Sequence, residues 1–244
     1  DLGAYRVRPI TVWYESRLFV ANQLPAAVPP EVIVRSLASE LRGSREPVVI
    51  DIERWPLKGE GAEVQSAVAK FLSVLSWVKE EAPGVSFGVY GTVPLPDYWR
   101  AIRDPASAEF RSWQQDNDRL EGISQRVDAL FPSIYTFYPD RQGWVRYAVA
   151  QMREARRKAN GKPVYAFLMP LYHESNKLLG THQLEPDYWD LELRTAYEHA
   201  DGLVIWGGWG ESWDETVPWW QVTKQFLSRI DRAGPATPKD LVAQ

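Results

Sequence analysis

The chain has 244 residues, of which 45% are hydrophobic, and it carries a formal net charge of −4 at pH 7 and no cysteine. This length and hydrophobic content suffice for one large domain with its own core. The lack of cysteine excludes a disulfide framework, a thiol nucleophile and a thiolate metal site. The acidic balance argues against a nucleic-acid partner, which would require clustered lysine and arginine.

Metal and membrane signals are also missing from the sequence. The three histidines, His173, His182 and His199, do not form an HExxH-type pair, so we expect neither a metal nor a cofactor. No stretch approaches the ~20 apolar residues of a transmembrane helix, so we expect no membrane partner. The chain begins with Asp1 rather than Met, and we expect that an N-terminal segment has been removed. Localisation stays open, with a secreted, extracellular or periplasmic protein as the expectation.

Apolar and β-branched runs alternate with helical patterns along the chain. On one predicted helix, Val64, Phe71 and Val78 fall on a single stripe, and Val145 and Met152 do so on another. The runs predict six strands, at residues 10–15, 47–53, 86–91, 128–135, 163–170 and 201–208.

This alternation predicts an α/β fold in which crossover helices join the strands of a parallel sheet. Length and strand count favour a TIM-like (β/α) barrel, distorted and with fewer than eight strands, over an open sheet. No GxGxxG or GxxxxGK[ST] motif follows a strand, so a nucleotide-binding sheet is not indicated. We expect a single domain over residues 1–233 and a loosely ordered tail over residues 234–244.

The segment VVIDIERWP, residues 48–56, places two carboxylates in a run that otherwise predicts a buried strand. Because side chains alternate along a strand, Asp51 and Glu53 should face the barrel interior, and Ile50 and Ile52 the covering helices. The acids lie at the carboxyl end of the strand, where such barrels form their active sites. Two adjacent carboxylates resist ionising together, so one should keep a raised pKa and donate a proton near neutral pH.

Paired carboxylates of this kind are typical of glycosidases. A simple retaining glycosidase usually takes its two acids from different strands, about 5 Å apart, whereas a D-x-E pair on one strand suggests substrate-assisted catalysis. The alternative is a buried structural pair neutralised by an arginine such as Arg54 or Arg17. The 12 tryptophans of the chain favour a sugar site, because flat aromatic faces at a cleft stack on sugar rings.

Six short fragments recur in the same order, from about residue 10 to about residue 215, in one known family. The chain reads IDIERWP where that family has IDWE.WRP, ALFPSIY where it has ALYPSIY, and GLVIWGGWGE where it has a GVVLW strand followed by W.E. Weaker matches are TVWYESRL, FGVYGTVPLPDY and QQDNDRL. The chain therefore resembles the hyaluronidases, the glycoside hydrolases of family 56. This resemblance implies a retaining endo-glycosidase whose partner is a polysaccharide or oligosaccharide that contains N-acetylhexosamine, hyaluronan-like or related.

The resemblance also implies the roles of individual residues. Glu53 matches the family's general acid/base, and Asp51 the neighbour that orients and stabilises the substrate's acetamido group as it attacks its own anomeric carbon. Tyr172 matches a tyrosine that hydrogen-bonds the acetamido carbonyl. The expected substrate-binding aromatics are Tyr14, Tyr90, Tyr135, Trp206 and Trp209.

Departures from the family pattern leave the substrate open. Ile52 replaces the family's tryptophan between the acids, and the basic residues near the motifs are scattered, although a site for the polyanion hyaluronan should gather positive charge. One alternative is a glycosidase for sugars without an acetamido group, with Asp51, Glu15 or Glu211 as nucleophile. The other is a catalytically silent carbohydrate-binding protein, which has no use for a buried acid pair.

Overall fold

The computed structural model describes residues 2–5, 7–208, 214–232 and 240–243. Strands β1, β7, β6 and β5 form one sheet in that order, and β2, β3 and β4 form another, with parallel pairing throughout. The predicted α/β fold with parallel strands is therefore confirmed. The strands are β1 Val7–Pro9, β2 Thr11–Tyr14, β3 Val48–Asp51, β4 Phe87–Val89, β5 Tyr165–Leu168, β6 Gly202–Ile205 and β7 Asp240–Ala243.

Two connections relate the sheets to each other. Only Ile10 separates β1 from β2, so one extended stretch pairs with β7 in the first sheet and with β3 in the second. Residues 130–136 lie between β4 and β5 and make single parallel bridges to both sides, including Tyr90 with Phe131 and Ser133 with Phe167. The prediction of a regular strand at residues 128–135 is wrong, because these residues make isolated bridges and not a continuous ladder. Pro132 interrupts the ladder, because it has no N–H group to donate.

Helices occupy the connections between the strands. The two predicted helical stripes correspond to α3 and α7; Val64, Phe71 and Val78 are buried on α3, whereas the buried face of α7 includes Met152 but leaves Val145 partly exposed. None of the described helices is long and apolar enough to cross a membrane. The helices are α1 Glu15–Leu18, α2 Glu31–Ser39, α3 Ala62–Glu81, α4 Tyr98–Ala101, α5 Ala108–Arg119, α6 Glu121–Arg126, α7 Arg141–Ala159, α8 Pro186–His199 and α9 Pro218–Arg232, after a short 3-10 helix at Leu2–Tyr5.

The core has two parts, and β3 contributes to both. Ile50 and Ile52 belong to the larger cluster, which includes the buried faces of the helices. Val49 belongs to a smaller cluster enclosed by the strands, together with Phe131 and Phe167. The predicted alternation along β3 is confirmed, and it places the side of β3 that carries Asp51 toward the interior.

The end of the chain differs from the prediction. Residues 240–243, which were expected to belong to a loosely ordered tail, form β7 between β1 and β6. The short apolar sequence of Leu241, Val242 and Ala243 pairs on both of its edges, and this pairing outweighs the polar, proline-containing sequence before it.

Candidate active site

A cavity of about 810 Å³ lies at the carboxyl ends of the strands. Its wall includes residues that end a strand or follow one directly, such as Tyr14 at the end of β2, Asp51 at the end of β3 and Trp206 after β6. Trp209 and Glu211 lie outside the described residues. Apart from Glu15, a candidate nucleophile that does not line the cavity, the structure brings the other predicted site residues to this one cavity: Tyr14, Asp51, Glu53, Tyr90, Tyr135, Tyr172 and Trp206.

The two acids differ in exposure, and the pKa of each is raised. Asp51 is the more enclosed, and its Oδ1 is buried without a hydrogen-bond partner in the described part of the chain. Burial, together with the negative charges of Glu53 and Glu15, raises the pKa of Asp51 to about 7. Glu53 is more exposed, yet partial burial and the charges of Glu15 and Glu174 raise its pKa as well. The pair therefore tends to keep one proton near neutral pH.

Glu15, the first residue of α1, holds the backbone that carries Glu53. Its Oε1 accepts hydrogen bonds from the amides of Glu53 and Arg54, each at 2.8 Å, and its Oε2 accepts one from Arg54 Nε at 2.7 Å. Both oxygens of Glu15 are thus committed to the chain itself. This geometry fits a supporting role for Glu15 better than the role of nucleophile.

The two arginines expected to neutralise the acid pair, Arg54 and Arg17, are paired with other acids. Because Arg54 is bound to Glu15, it does not neutralise the acid pair, and the same holds for Arg17, which lies 3.6 Å from Glu40. No lysine or arginine is among the described residues that line the cavity. The alternative of a structural pair neutralised by these arginines is therefore not supported.

The aromatic wall of the cavity is held by ring contacts and one hydroxyl bond. The Tyr90 hydroxyl donates to Ser133 Oγ at 3.0 Å, and the Tyr90 and Tyr135 ring centroids lie 5.8 Å apart. Burial raises the pKa of both tyrosines, so their hydroxyls stay neutral. The Trp206 ring lies nearly parallel to that of Tyr135, with centroids 6.1 Å apart and an interplanar angle of 19°. These contacts make a preorganised apolar surface inside the cavity.

Tyr172 lines the cavity but is almost entirely buried, with 1% of its surface exposed. Its hydroxyl donates to Glu185 Oε2 at 3.1 Å, and its ring meets that of Tyr188 edge-on. Burial and the bond to Glu185 raise the pKa of Tyr172 to about 12. Donation to a substrate carbonyl, the role that the family resemblance implies, would require the bond to Glu185 to break first.

Two wall residues, His173 and Glu174, were not assigned to the site by the sequence analysis. His173 Nδ1 is 2.8 Å from Ser175 Oγ, and its ring centroid is 4.9 Å from that of Phe137. Burial lowers the pKa of His173, which favours the neutral imidazole. Their adjacency to Tyr172 is the one sequence signal that could have identified them.

No protein-family model and no curated protein matches the chain. Among solved structures, bee venom hyaluronidase is similar, with a TM-score of 0.59 and 17% identity over 92% of this chain and 85% of that one. Bee venom hyaluronidase in complex with a hyaluronic acid tetramer gives a TM-score of 0.56 and 16% identity over 91% and 84%. A putative α-L-fucosidase from Bacteroides thetaiotaomicron gives a TM-score of 0.50 and 13% identity over 91% of this chain and 73% of that one. Similarity at this level of identity shows the fold alone, a TIM-barrel-like fold found among glycoside hydrolases.

Proposed function

We propose that the chain is a retaining endo-glycosidase that cleaves a polysaccharide containing N-acetylhexosamine by substrate-assisted catalysis. The observation that carries this proposal is the pair Asp51 and Glu53, which faces an aromatic-walled cavity at the end of β3 without a lysine or arginine among the described lining. Two neighbouring carboxylates, of which Asp51 is largely enclosed, are costly for stability without a cation, so such a pair indicates chemistry. The fold shared with bee venom hyaluronidase is consistent with this function.

We further propose that the strands form a distorted TIM-like barrel with fewer than eight strands, in a single domain that extends past the predicted boundary at residue 233 to include β7. Support comes from the stretch that contains β1 and β2, which pairs with both sheets, and from residues 130–136, which bridge β4 to β5. Such a barrel would gather the carboxyl ends of its strands around one site.

In the first step, Glu53 donates its proton to the glycosidic oxygen while the acetamido carbonyl oxygen of the substrate attacks the anomeric carbon. The bond to the leaving sugar breaks, and a bicyclic oxazolinium ion forms. No nucleophile from the enzyme is needed, because the substrate supplies it. The Asp51 carboxylate balances the positive charge of the ring, and the low-polarity surroundings strengthen that interaction.

In this step Glu53 must carry the shared proton, and Asp51 must be ionised. In the free protein the more buried Asp51 has the pKa of about 7, so the pair can hold one proton near neutral pH. Positive charge that grows on the acetamido group favours the ionised form of Asp51. The shared proton then moves to Glu53, the more exposed of the two acids and the better placed to reach a glycosidic oxygen.

In the second step, the Glu53 carboxylate takes a proton from a water molecule, which attacks the anomeric carbon and opens the bicyclic ring. The acetamido group is restored, and Glu53 is protonated again. Each step inverts the anomeric carbon, so the product keeps the configuration of the original bond.

The charge of the cavity points to a neutral polymer. Its described lining includes Asp51, Glu53, Glu174 and Asp214 and no lysine or arginine. A polyanion such as hyaluronan would be repelled by these carboxylates. An uncharged chain of N-acetylhexosamine units meets no such repulsion, and its apolar ring faces match Tyr135 and Trp206.

Product analysis over a panel of soluble polysaccharides tests this function. The panel contains neutral N-acetylated chains, hyaluronan, and neutral chains without acetamido groups, each incubated with the wild type and with Glu53→Gln as control. We expect new reducing ends from the neutral N-acetylated chains with the wild type alone. Cleavage restricted to chains without acetamido groups, or no cleavage of any polymer, would contradict the proposal.

A further inference from the structure

We infer that Trp99 and Tyr138 form a second sugar-binding subsite outside the cavity, which holds more distant units of the same polysaccharide. This inference rests on the proposed function. Trp99 is 55% exposed and Tyr138 is 38% exposed, and their ring centroids lie 5.3 Å apart at an interplanar angle of 48°. Large aromatic side chains that cluster on a surface mark a binding site more often than isolated ones do.

The two rings lie at the same end of the strands as the cavity. Trp99 belongs to α4, which follows the loop after β4, and Tyr138 comes shortly after the bridging residues 130–136. The carboxyl ends of parallel strands face one side of the molecule, and the loops that follow them are on that side. A chain leaving the cavity could therefore reach these rings without crossing to another face.

A continuous series of aromatic rings connects the cavity to the proposed subsite. His173, in the cavity wall, lies 4.9 Å from Phe137 between ring centroids. Phe137 lies 6.4 Å from Tyr138, and Tyr138 lies 5.3 Å from Trp99. Successive units of one polysaccharide can stack along such a surface, because each sugar ring offers an apolar face.

The proposed subsite is held rigidly from below by Tyr98. This buried tyrosine packs its ring against Trp99 and Tyr138, each at 5.2 Å between centroids, and its hydroxyl donates to Asp140 Oδ2 at 3.1 Å. A side chain at position 143 would overlap both Tyr98 and Asp140, so Gly143 permits this contact. Rings that are already fixed lose little freedom when a ligand binds, and this favours affinity.

The charged residue next to Trp99 is already paired, which fits a neutral ligand. Arg100, one residue after Trp99, is bound to Asp97 at 2.9 Å and to Asp116 at 2.8 Å. Its charge is therefore already balanced within the protein. What Trp99 and Tyr138 offer a ligand is mainly flat aromatic surface, which suits the ring faces of uncharged sugars.

Calorimetric titration in a Glu53→Gln background tests the inference without cleavage of the ligand. The probes are hexasaccharides and disaccharides of β-1,4-linked N-acetylglucosamine, of hyaluronan and of β-1,4-linked mannose, and the tightest-binding hexasaccharide is carried forward. Trp99→Ala should weaken its binding at least ~5-fold, as expected for loss of a central aromatic contact, and leave disaccharide binding unchanged. Trp99→Phe, which keeps a flat ring, should recover most of the loss. Val32→Ala, at a position 74% exposed on α2, is the control and should change neither affinity.

The outcomes separate this inference from the proposed function. If the wild type cleaves none of the polymers but Trp99→Ala still loses hexasaccharide affinity, the subsite stands and the hydrolase proposal fails. If the wild type cleaves its polymer and Trp99→Ala binds the hexasaccharide as tightly as its parent, the subsite is wrong and the function stands. Failure of every hexasaccharide to bind would also overturn the subsite.

Discussion

Asp97 precedes α4 and Asp51 ends β3, and the surroundings of these two aspartates are opposite. Asp97 accepts hydrogen bonds from Arg100 N at 3.1 Å and Arg100 Nε at 2.9 Å, with Lys58 Nζ at 3.5 Å. Burial opposes ionisation of Asp97, but the bonds from Arg100 and the charge of Lys58 outweigh it and lower the pKa. For Asp51, burial and two neighbouring acids raise the pKa to about 7. The same residue type thus serves the fold where it is paired and is available for chemistry where it is not.

The largest expected effect comes from Glu53→Gln, which removes the proton donor and keeps the shape of the side chain. Turnover should fall by ~10²-fold or more, the usual scale for general acid–base catalysis, while substrate still binds. Steady-state kinetics and a binding measurement on the cleaved polymer check this. Glu46→Gln, away from the cavity, serves as the control. Turnover near that of the wild type would remove Glu53 from the catalytic assignment.

Asp51→Asn should also lower turnover by ~10²-fold, because an amide cannot balance the charge of the oxazolinium ring. Whereas turnover falls, the free energy of unfolding of this variant should rise relative to that of the wild type. The native state of the wild type binds more protons than the unfolded state between the ordinary pKa of 3.8 and about 7, so its stability falls as pH rises through that window. The Asp51→Asn variant has no carboxyl group at this position, so its stability does not fall with pH in this way. Denaturant unfolding at several pH values should show the variant gaining relative to the wild type up to about pH 7. If the difference in unfolding free energy between the variant and the wild type stays the same across this pH window, Asp51 is already ionised and paired.

Asp97→Asn provides the contrasting case. Asp97 has a lowered pKa, so its contribution is present above the ordinary value of 3.8 and is lost as pH falls through the folded-state pKa. At neutral pH the variant should lose ~1–3 kcal/mol of unfolding free energy, because charge-assisted hydrogen bonds are removed. Its turnover on a short substrate should change far less than that of Asp51→Asn. A stable Asp97→Asn variant would show that the pairing with Arg100 and Lys58 is not what separates the two aspartates.

The smallest expected effect comes from Tyr172→Phe. If its hydroxyl leaves Glu185 to hold the acetamido carbonyl, turnover should fall by roughly 10-fold while affinity changes little, because orientation is felt mainly in the transition state. Tyr188→Phe is a matched control, since that buried hydroxyl donates to the Tyr138 carbonyl at 3.2 Å. Melting temperature and kinetics are measured for both. Equal thermal losses with unchanged turnover would leave Tyr172 as a packing residue.

The alternation along β3 was predictable because strand geometry is local. Asp51 and Glu53 needed only the period of two and the position of the strand end. The support from Glu15 was not predictable, because it bonds amides 38 and 39 residues away. No local pattern marks such a contact.

The remaining differences also depend on tertiary structure. β7 forms because two other strands flank a four-residue segment that is too short to stand out in the sequence. Trp99 and Tyr138 lie exposed over the buried ring of Tyr98, an arrangement that the residue types alone do not predict. Sequence reasoning therefore located the acids and most of the aromatics but not the network that holds them.

The central claim is that the substrate's own acetamido group is the nucleophile beside Asp51 and Glu53, and NMR of the fresh product with a thiazoline analogue of N-acetylhexosamine tests it most directly. Substrate-assisted catalysis predicts retention of the anomeric configuration, inhibition by the thiazoline, which resembles the bicyclic intermediate, and loss of cleavage when the acetamido group is replaced by a hydroxyl. Retention without thiazoline inhibition, together with a covalent fluoro-sugar adduct on an aspartate or glutamate, would contradict it and assign the nucleophile to the enzyme. Inversion would contradict it as well, since it would require a base positioned to activate water at longer range.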